Sequence, residues 1–381
     1  MKEKNKIKRE HFYTYLKNWL GQSVSCGENS ITIHNKSISL KTTIGNNRPK
    51  NQDRAAFVII TNHFTNKKNL AISILADGMG GMVSGEEAAS SAIASFIAYL
   101  SLNVHNSGLK DICRRAIEHA NVTVNKLLND KGGSTLSAIV YSENGCVGVN
   151  VGDSRIYYFD QNNGLTQVSK DDTILGQLDN NSSENWEDPT KGDNRLAQFI
   201  GTSDELIPHI IDLTEYSKKI TDSFFILTTD GTHYIGNNMM ERIIKVSDKY
   251  NTVANKIINI AEWLSGHDNS TLVICPNKIT VNRLKTDQNS EELEQITIYD
   301  FDRETNYLVP IEFENFYKEN AIIRSDDEKK MQYKSEALFL NHQSKIEKEK
   351  FSKTQKKVKK KPKKDDKNDL IVDLLPPEKK G

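Results

Sequence analysis

Four aspartates stand where an apolar run meets a turn. Asp77 follows the run 71–76 and precedes Gly78-Met79-Gly80-Gly81, so a strand would deliver its carboxylate to a glycine-rich turn. Glycine there lets the backbone approach a ligand closely. Asp230 repeats the arrangement after the run 224–229, with Gly231 following, and Asp153 sits between Gly152 and Ser154 at the end of the run 147–151. Asp268, followed by Asn269, opens the run 270–274. A single aspartate beside glycine at a strand end is ordinarily a turn residue. Four carboxylates gathered at one sheet edge would instead repel one another unless cations neutralised them, and hard oxygen donors select Mg²⁺ or Mn²⁺ over zinc or copper. Two such ions about 4 Å apart can deprotonate a water between them and stabilise both the attacking and the leaving oxygen of an in-line phosphoryl displacement.

The elements that must carry these residues are short. Strand-like runs rich in Val, Ile, Tyr and Phe occupy 70–75, 136–141, 146–151, 155–159, 224–229 and 271–275, most of them closely followed by turns, as hairpins require. Two longer segments repeat at helical spacing, with Ala89, Ile93, Phe96, Ile97 and Leu100 on one face and Ile112, Ala116, Ala120, Val124 and Leu127 on another. Ser84 and Glu87 have the spacing of a capping box at the start of the first. Strands followed by strands, with paired amphipathic helices between, predict antiparallel sheets covered by helices rather than a repeated βαβ unit.

Bulk properties set outer limits. Across 381 residues, Lys+Arg and Asp+Glu are equal at 51 each, so no whole-chain field points to nucleic acid or an anionic membrane. Cys26, Cys113, Cys146 and Cys275 are widely spaced with no CxxC pair, which fits neither a zinc site nor a disulfide framework and predicts a reducing, cytoplasmic setting. The basic N-terminus lacks the apolar stretch of a signal peptide, and no run approaches the roughly 20 apolar residues of a membrane-spanning helix. Beyond Asn277 charged residues dominate, leaving two strand-like fragments, 295–301 and 307–313, and a segment, 345–364, in which eleven lysines against two glutamates leave nine positive charges. The expected organisation is an N-terminal extension (1–38), a catalytic domain (39–277) and a charged, partly disordered C-terminal extension (278–381).

The motifs, taken in order, resemble the metal-dependent protein phosphatase family often called type 2C, over about 44–275. Arg48-Pro49-Lys50-Asn51-Gln52-Asp53 resembles its first motif, an arginine preceding an Asn-Glu/Gln-Asp triplet. Asp77-Gly78-Met79-Gly80-Gly81, Gly133-Ser134-Thr135, Gly152-Asp153-Ser154-Arg155, Asp230-Gly231 and Asp268-Asn269 match the later ones. The resemblance implies an α+β fold, a four-layer α-β-β-α sandwich of two antiparallel sheets flanked by helices, with the metals at one end. It implies hydrolysis of phosphoserine and phosphothreonine on proteins by metal-activated water, without a covalent intermediate and opposing a Ser/Thr kinase. Asp53 and Asp77 would hold two Mn²⁺ or Mg²⁺ ions with the Gly78 carbonyl contributing, and Asp230 and Asp268 would complete one ion's shell. Asp153 matches a bacterial position that helps bind a third, weaker ion. Arg48 would clamp the substrate phosphate, since its planar fork of donors matches two phosphate oxygens at once.

Two positions depart from the family's pattern, Met79 from its animal members and Gln52 from many relatives. Met79 replaces a histidine that can act as general acid, and methionine cannot donate a proton; Gln52 stands where many relatives have glutamate. Both residues are usual or common in bacterial members. The stretch 171–195 lies where those members carry a flap beside the active site, although a surface insertion without a role is an equal reading. His233 reads as structural. Other classes fit less well. There is no GxxxxGK[ST] loop for a nucleotide-using kinase. A catalytically silent phosphoprotein-binding relative would be expected to have lost metal carboxylates that this chain keeps. The lysine-rich tail has almost no aromatic residues for base stacking, which argues against nucleic acid and for a solvated extension; the role expected of that extension is a protein-docking arm with the apolar patch 370–375 as its anchor.

Overall fold

Alternation with a period of two governs the strands, and their two faces enter different cores. The structure, a computed structural model, describes residues 5–6, 8–33, 35–62, 69–79, 84–103, 108–174, 195–219, 222–280 and 293–310. In chain order the elements are β1 (Asn5–Lys6), α1 (Arg9–Gly21), β2 (Gly27–Ile33), β3 (Lys36–Thr43), β4 (Arg54–Asn62) and β5 (Leu70–Ala76). Two helices follow, α2 (Gly85–Asn103) and α3 (Leu109–Leu128), then β6 (Leu136–Ser142), β7 (Gly145–Val151), β8 (Arg155–Asp160), β9 (Gly164–Gln167) and β10 (His209–Asp212). The remainder runs α4 (Thr214–Lys218), β11 (Phe224–Thr228), α5 (Asp230–His233), α6 (Asn237–Lys245), α7 (Tyr250–Leu264), β12 (Ser270–Pro276), β13 (Leu293–Tyr299) and β14 (Glu304–Pro310).

These strands form an eight-stranded sheet, ordered β1-β14-β13-β4-β5-β6-β7-β10, and a six-stranded sheet, ordered β2-β3-β12-β11-β8-β9. Every pairing is antiparallel except the short β1–β14 edge. From β4 and β5, Ala56, Val58, Ile72 and Ile74 enter the core under α1, α2 and α3, whereas Ala55, Phe57, Ala71 and Leu75 enter the core between the sheets. In the second sheet Phe225, Leu227, Val273 and Cys275 face inward, while Phe224, Ile226, Leu272 and Ile274 meet α6 and α7. This is the expected α-β-β-α sandwich.

Helix α2 is buried nearly all round because the sheet lies on one side and α1 and α3 lie on the other. On α3 the expected apolar stripe is buried except for Leu127, which is 38% exposed. The capping box is not formed: Ser84 has φ 67°, its carbonyl accepts the amides of Glu87 and Ala88, and the Glu87 carboxylate meets Lys17 of α1 at 3.1 Å.

The boundaries expected near 38 and 277 do not coincide with breaks in packing. Strand β13 pairs with β4 along Glu294–Tyr299, putting Ile296, Ile298, Tyr307 and Val309 in the helix-side core and Phe301 between the sheets. On α1, Phe12, Leu16 and Leu20 are fully buried, and Phe12 meets Tyr307 edge-on at 5.8 Å. The compact unit accordingly runs through Ile311, and the second unit, Glu312–Gly381, lies outside the described residues together with the lysine-rich segment and the apolar patch 370–375.

A chain ending at Asn277 loses six buried apolar side chains among the described residues, Ile279, Ile296, Ile298, Phe301, Tyr307 and Val309. At about 2–5 kcal/mol each this exceeds most of a net stability of about 5–15 kcal/mol. That truncation is expected to abolish the cooperative thermal transition seen by circular dichroism, whereas a chain ending at Ile311 keeps it. Cooperative unfolding of the shorter chain would contradict the assignment.

Candidate active site

Strand register brings the aspartates to one end of the sandwich. Arg54 pairs with Ala76 across β4 and β5, so Asp53, just before β4, and Asp77, just after β5, leave the first sheet side by side. In the second sheet Thr228 pairs with both Arg155 and Leu272. Asp153, Asp230 and Asp268 therefore emerge from neighbouring strand ends.

A bond between the sheets joins the two groups. Thr229 donates its hydroxyl to Asp53 Oδ2 at 3.0 Å, and the same hydroxyl accepts the Thr271 amide. Asn269 ties the loops together: its Oδ1 accepts the Gln52 amide at 2.9 Å, and its Nδ2 donates to the carbonyls of Ile44 and Lys50. Asn51 accepts the Asp53 amide and donates to Thr42 and to the Ser25 carbonyl. Asp77 is held through its backbone, its amide donating to Thr135 Oγ1 and its carbonyl accepting the Thr135 amide and the Ser134 hydroxyl. Thr135 Oγ1 also meets Ser154 Oγ at 2.7 Å, which connects Asp77 to the turn carrying Asp153.

Two glycines are required by close approach. A Cβ on Gly78 would lie 2.3 Å from the Gly85 carbonyl oxygen, and one on Gly152, at φ +96°, would lie 2.6 Å from the Thr135 methyl. Met79 donates its amide to the Gly133 carbonyl; Gly80 and Gly81 lie outside the described residues.

Electrostatically the site is strained toward cations. Burial, followed by the field of neighbouring aspartates, raises the carboxyls of Asp53 and Asp153 to about 7 and lifts Asp77 and Asp230 above the usual range. Asp53 is 1% exposed, and its Oδ1 is a buried oxygen with no hydrogen-bond partner. Among the described residues no three His, Cys, Asp or Glu side chains already converge as a ready shell, so the carboxylates would have to turn toward a shared ion. The donor set, all oxygen and all clustered, fits Mn²⁺ or Mg²⁺.

The structure thus gathers Asp53, Asp77, Asp153, Asp230, Asp268 and the Gly78 turn. Arg48 is also present, but paired: its Nη2 lies 2.6 Å from Asp268 Oδ2. His233, the last residue of α5, is buried with Nδ1 3.0 Å from Thr228 Oγ1, and burial and then Arg155 push its pKa well below the usual histidine range. Its role there is structural. Of the 171–195 stretch, only the ends are described. Asp171 holds Arg155 through both oxygens, while Asp172 accepts the Gly152 amide, Gln198 and His209. Thr135, Ser154 and Asn269 lie inside the matched motifs without a role legible from the sequence, and Thr229, which precedes Asp230-Gly231, carries no signal beyond that adjacency.

A two-sheet sandwich flanked by helices, with clustered carboxylates at one end, defines the class of protein. The chain belongs to the Protein phosphatase 2C family, whose profile matches residues 44–266. It is 27% identical over 256 residues to the "Protein phosphatase PhpP" of Streptococcus pneumoniae, covering 62% of this chain and 96% of that protein. It is 26% identical over 246 residues to the "Serine/threonine phosphatase stp" of Listeria welshimeri, covering 61% and 93%. The solved serine/threonine phosphatase of S. agalactiae shares the fold, with a TM-score of 0.52 and 23% identity, covering 63% of this chain and 99% of that one. Among the described residues no helix is long and apolar enough to cross a membrane.

Raised carboxyl pKa values carry a stability consequence. Between the ordinary aspartate value near 4 and about 7, the folded metal-free protein retains protons that the unfolded chain has released. In chelator the melting temperature is therefore expected to fall as pH rises across that window, with a shallower slope in Asp53→Asn. Added Mn²⁺ should raise it, and more so toward pH 7, because binding must displace those protons. A melting temperature in chelator that rises with pH over the window would contradict this.

Proposed function

We propose that the carboxylate-lined end of the sandwich hydrolyses phosphoserine and phosphothreonine on proteins through two Mn²⁺ or Mg²⁺ ions held by Asp53, Asp77, Asp230 and Asp268 with the Gly78 carbonyl, and a weaker third ion assisted by Asp153. The observation that carries the reading is Asp53: a buried carboxylate with one oxygen fixed by Thr229 and the other unpartnered. An unmatched buried acceptor is costly, and a cation would satisfy it. The class of enzyme is protein-serine/threonine phosphatase. When bound, the ions would supply an acidified water as nucleophile and charge neutralisation at the phosphoryl oxygens.

The chain's own residues do the remainder. Thr229 and Asn51 hold Asp53 in place, Thr135 and Ser134 hold Asp77, and Asn269 locks the loop carrying Arg48 against the strand end carrying Asp268. Arg48 would orient the phosphate with its fork of donors. Met79 cannot protonate the departing serine or threonine oxygen, so that proton must come from another group or from solvent. A Ser/Thr kinase would supply the phosphoprotein. The segment beyond Ile311 is proposed as a docking arm for such partners, which its removal would test by weakening a partner-specific reaction while sparing small esters.

Purified protein is expected to hydrolyse p-nitrophenyl phosphate and a phosphothreonine peptide with Mn²⁺ or Mg²⁺ and not with chelator. Asp230→Asn should lose more than about 100-fold in kcat/KM, beyond what loss of an outer supporting partner costs. A folded protein that turns over neither substrate with either metal would overturn the reading.

A further inference from the structure

This inference rests on the reading of Asp268 as a cation ligand. Arg48 Nη2 and Asp268 Oδ2 are 2.6 Å apart, with side chains 36% and 20% exposed, and Asp268 Oδ1 accepts the Asn269 amide at 2.8 Å. Both oxygens of that carboxylate are therefore engaged within the chain itself. The loop carrying Arg48 is pinned on both sides of it. Asn46 donates its amide to the Gly266 carbonyl at 2.7 Å and its side chain to the Glu262 carbonyl at 3.0 Å, while the Ile44 and Lys50 carbonyls accept from Asn269. Exchange of partners by Arg48 is then a side-chain rotation at the surface and requires no movement of the loop. Besides its bond to Asp268, the guanidinium lies in the field of Asp230 and Asp77.

We infer that Arg48 is the resident counter-cation of this carboxylate site, held on Asp268 in the metal-free protein and released toward an incoming phosphate when a divalent cation takes up Asp268. Arg48 and a divalent cation draw on the same carboxylate and repel each other, so each weakens the other's hold on Asp268. Phosphate and cation are coupled the opposite way, because Arg48 is available to phosphate only after it has left Asp268. The site thereby masks its phosphate-binding arginine until its metals are present. A merely supportive role for Arg48, orienting Asp268 as an outer partner orients a ligand, predicts the reverse sign for metal binding.

The test is Mn²⁺ affinity, measured calorimetrically and by the paramagnetic resonance of free Mn²⁺, without turnover. Arg48→Gln is expected to bind Mn²⁺ several-fold more tightly than the wild type, with Arg48→Lys, which keeps the charge, close to wild type. Inorganic phosphate should bind the wild type with Mn²⁺ and at least ten-fold more weakly in chelator. Weaker or unchanged Mn²⁺ binding in Arg48→Gln, with the wild type still binding Mn²⁺, would overturn the inference and leave the metal site standing. A wild type that binds no Mn²⁺ would overturn both.

Discussion

Mutual repulsion among partly dehydrated carboxylates is the constraint around which one end of this protein is built. Asp53, Asp77, Asp153 and Asp230 raise one another's affinity for protons because the chain takes them out of water together. In an ordinary core such an arrangement would be removed or paired with basic residues. Here the partial counterweights are the Thr229 hydroxyl donating to Asp53, the Gly231 amide donating to Asp230, and one guanidinium at the rim. None of these supplies a full second charge for each carboxylate, and the unpartnered Asp53 Oδ1 marks where the protein stops compensating.

Holding like charges together demands a rigid frame, and the two sheets provide it. Hairpin register puts Asp53 opposite Asp77 and places Asp230 near Asp268, and a single inter-sheet hydrogen bond from Thr229 closes the gap between the pairs. The turns beyond the strands are fixed by backbone contacts too close for side chains, as at Gly78 against Gly85. Helix packing on both outer faces stabilises the strands and leaves their ends free for chemistry. The link from packing to function is therefore direct: the same alternation that fills the cores sets which residues terminate the strands at the site.

Much of this was legible in the sequence because strand ends announce themselves. The runs before Asp77 and Asp230 are apolar through to the aspartate, so both the elements and the site positions could be read together. Other parts were hidden for physical reasons. Strands β13 and β14 carry Glu294, Thr297, Glu304 and Asn306 among their apolar residues, and their burial depends on pairing with β4, more than 200 residues earlier, which local pattern does not reveal. The buried face of α1, Phe12, Leu16 and Leu20, is interrupted by polar residues on a short helix. The capping-box spacing at Ser84 and Glu87 was a local signal overridden by tertiary contact, since Glu87 is drawn to Lys17. The motif around Arg48 marks it as a phosphate ligand, but its pairing with Asp268 is visible only in the fold, because nothing in the spacing of two residues 220 positions apart sets their distance.

The central claim is that these carboxylates exist to hold divalent cations. Anomalous diffraction at the manganese edge from crystals grown with Mn²⁺ tests it most directly. Two strong peaks are predicted among Asp53, Asp77, Asp230 and Asp268, with a weaker one near Asp153. Crystals saturated with Mn²⁺ that showed no peak among these residues would contradict the account.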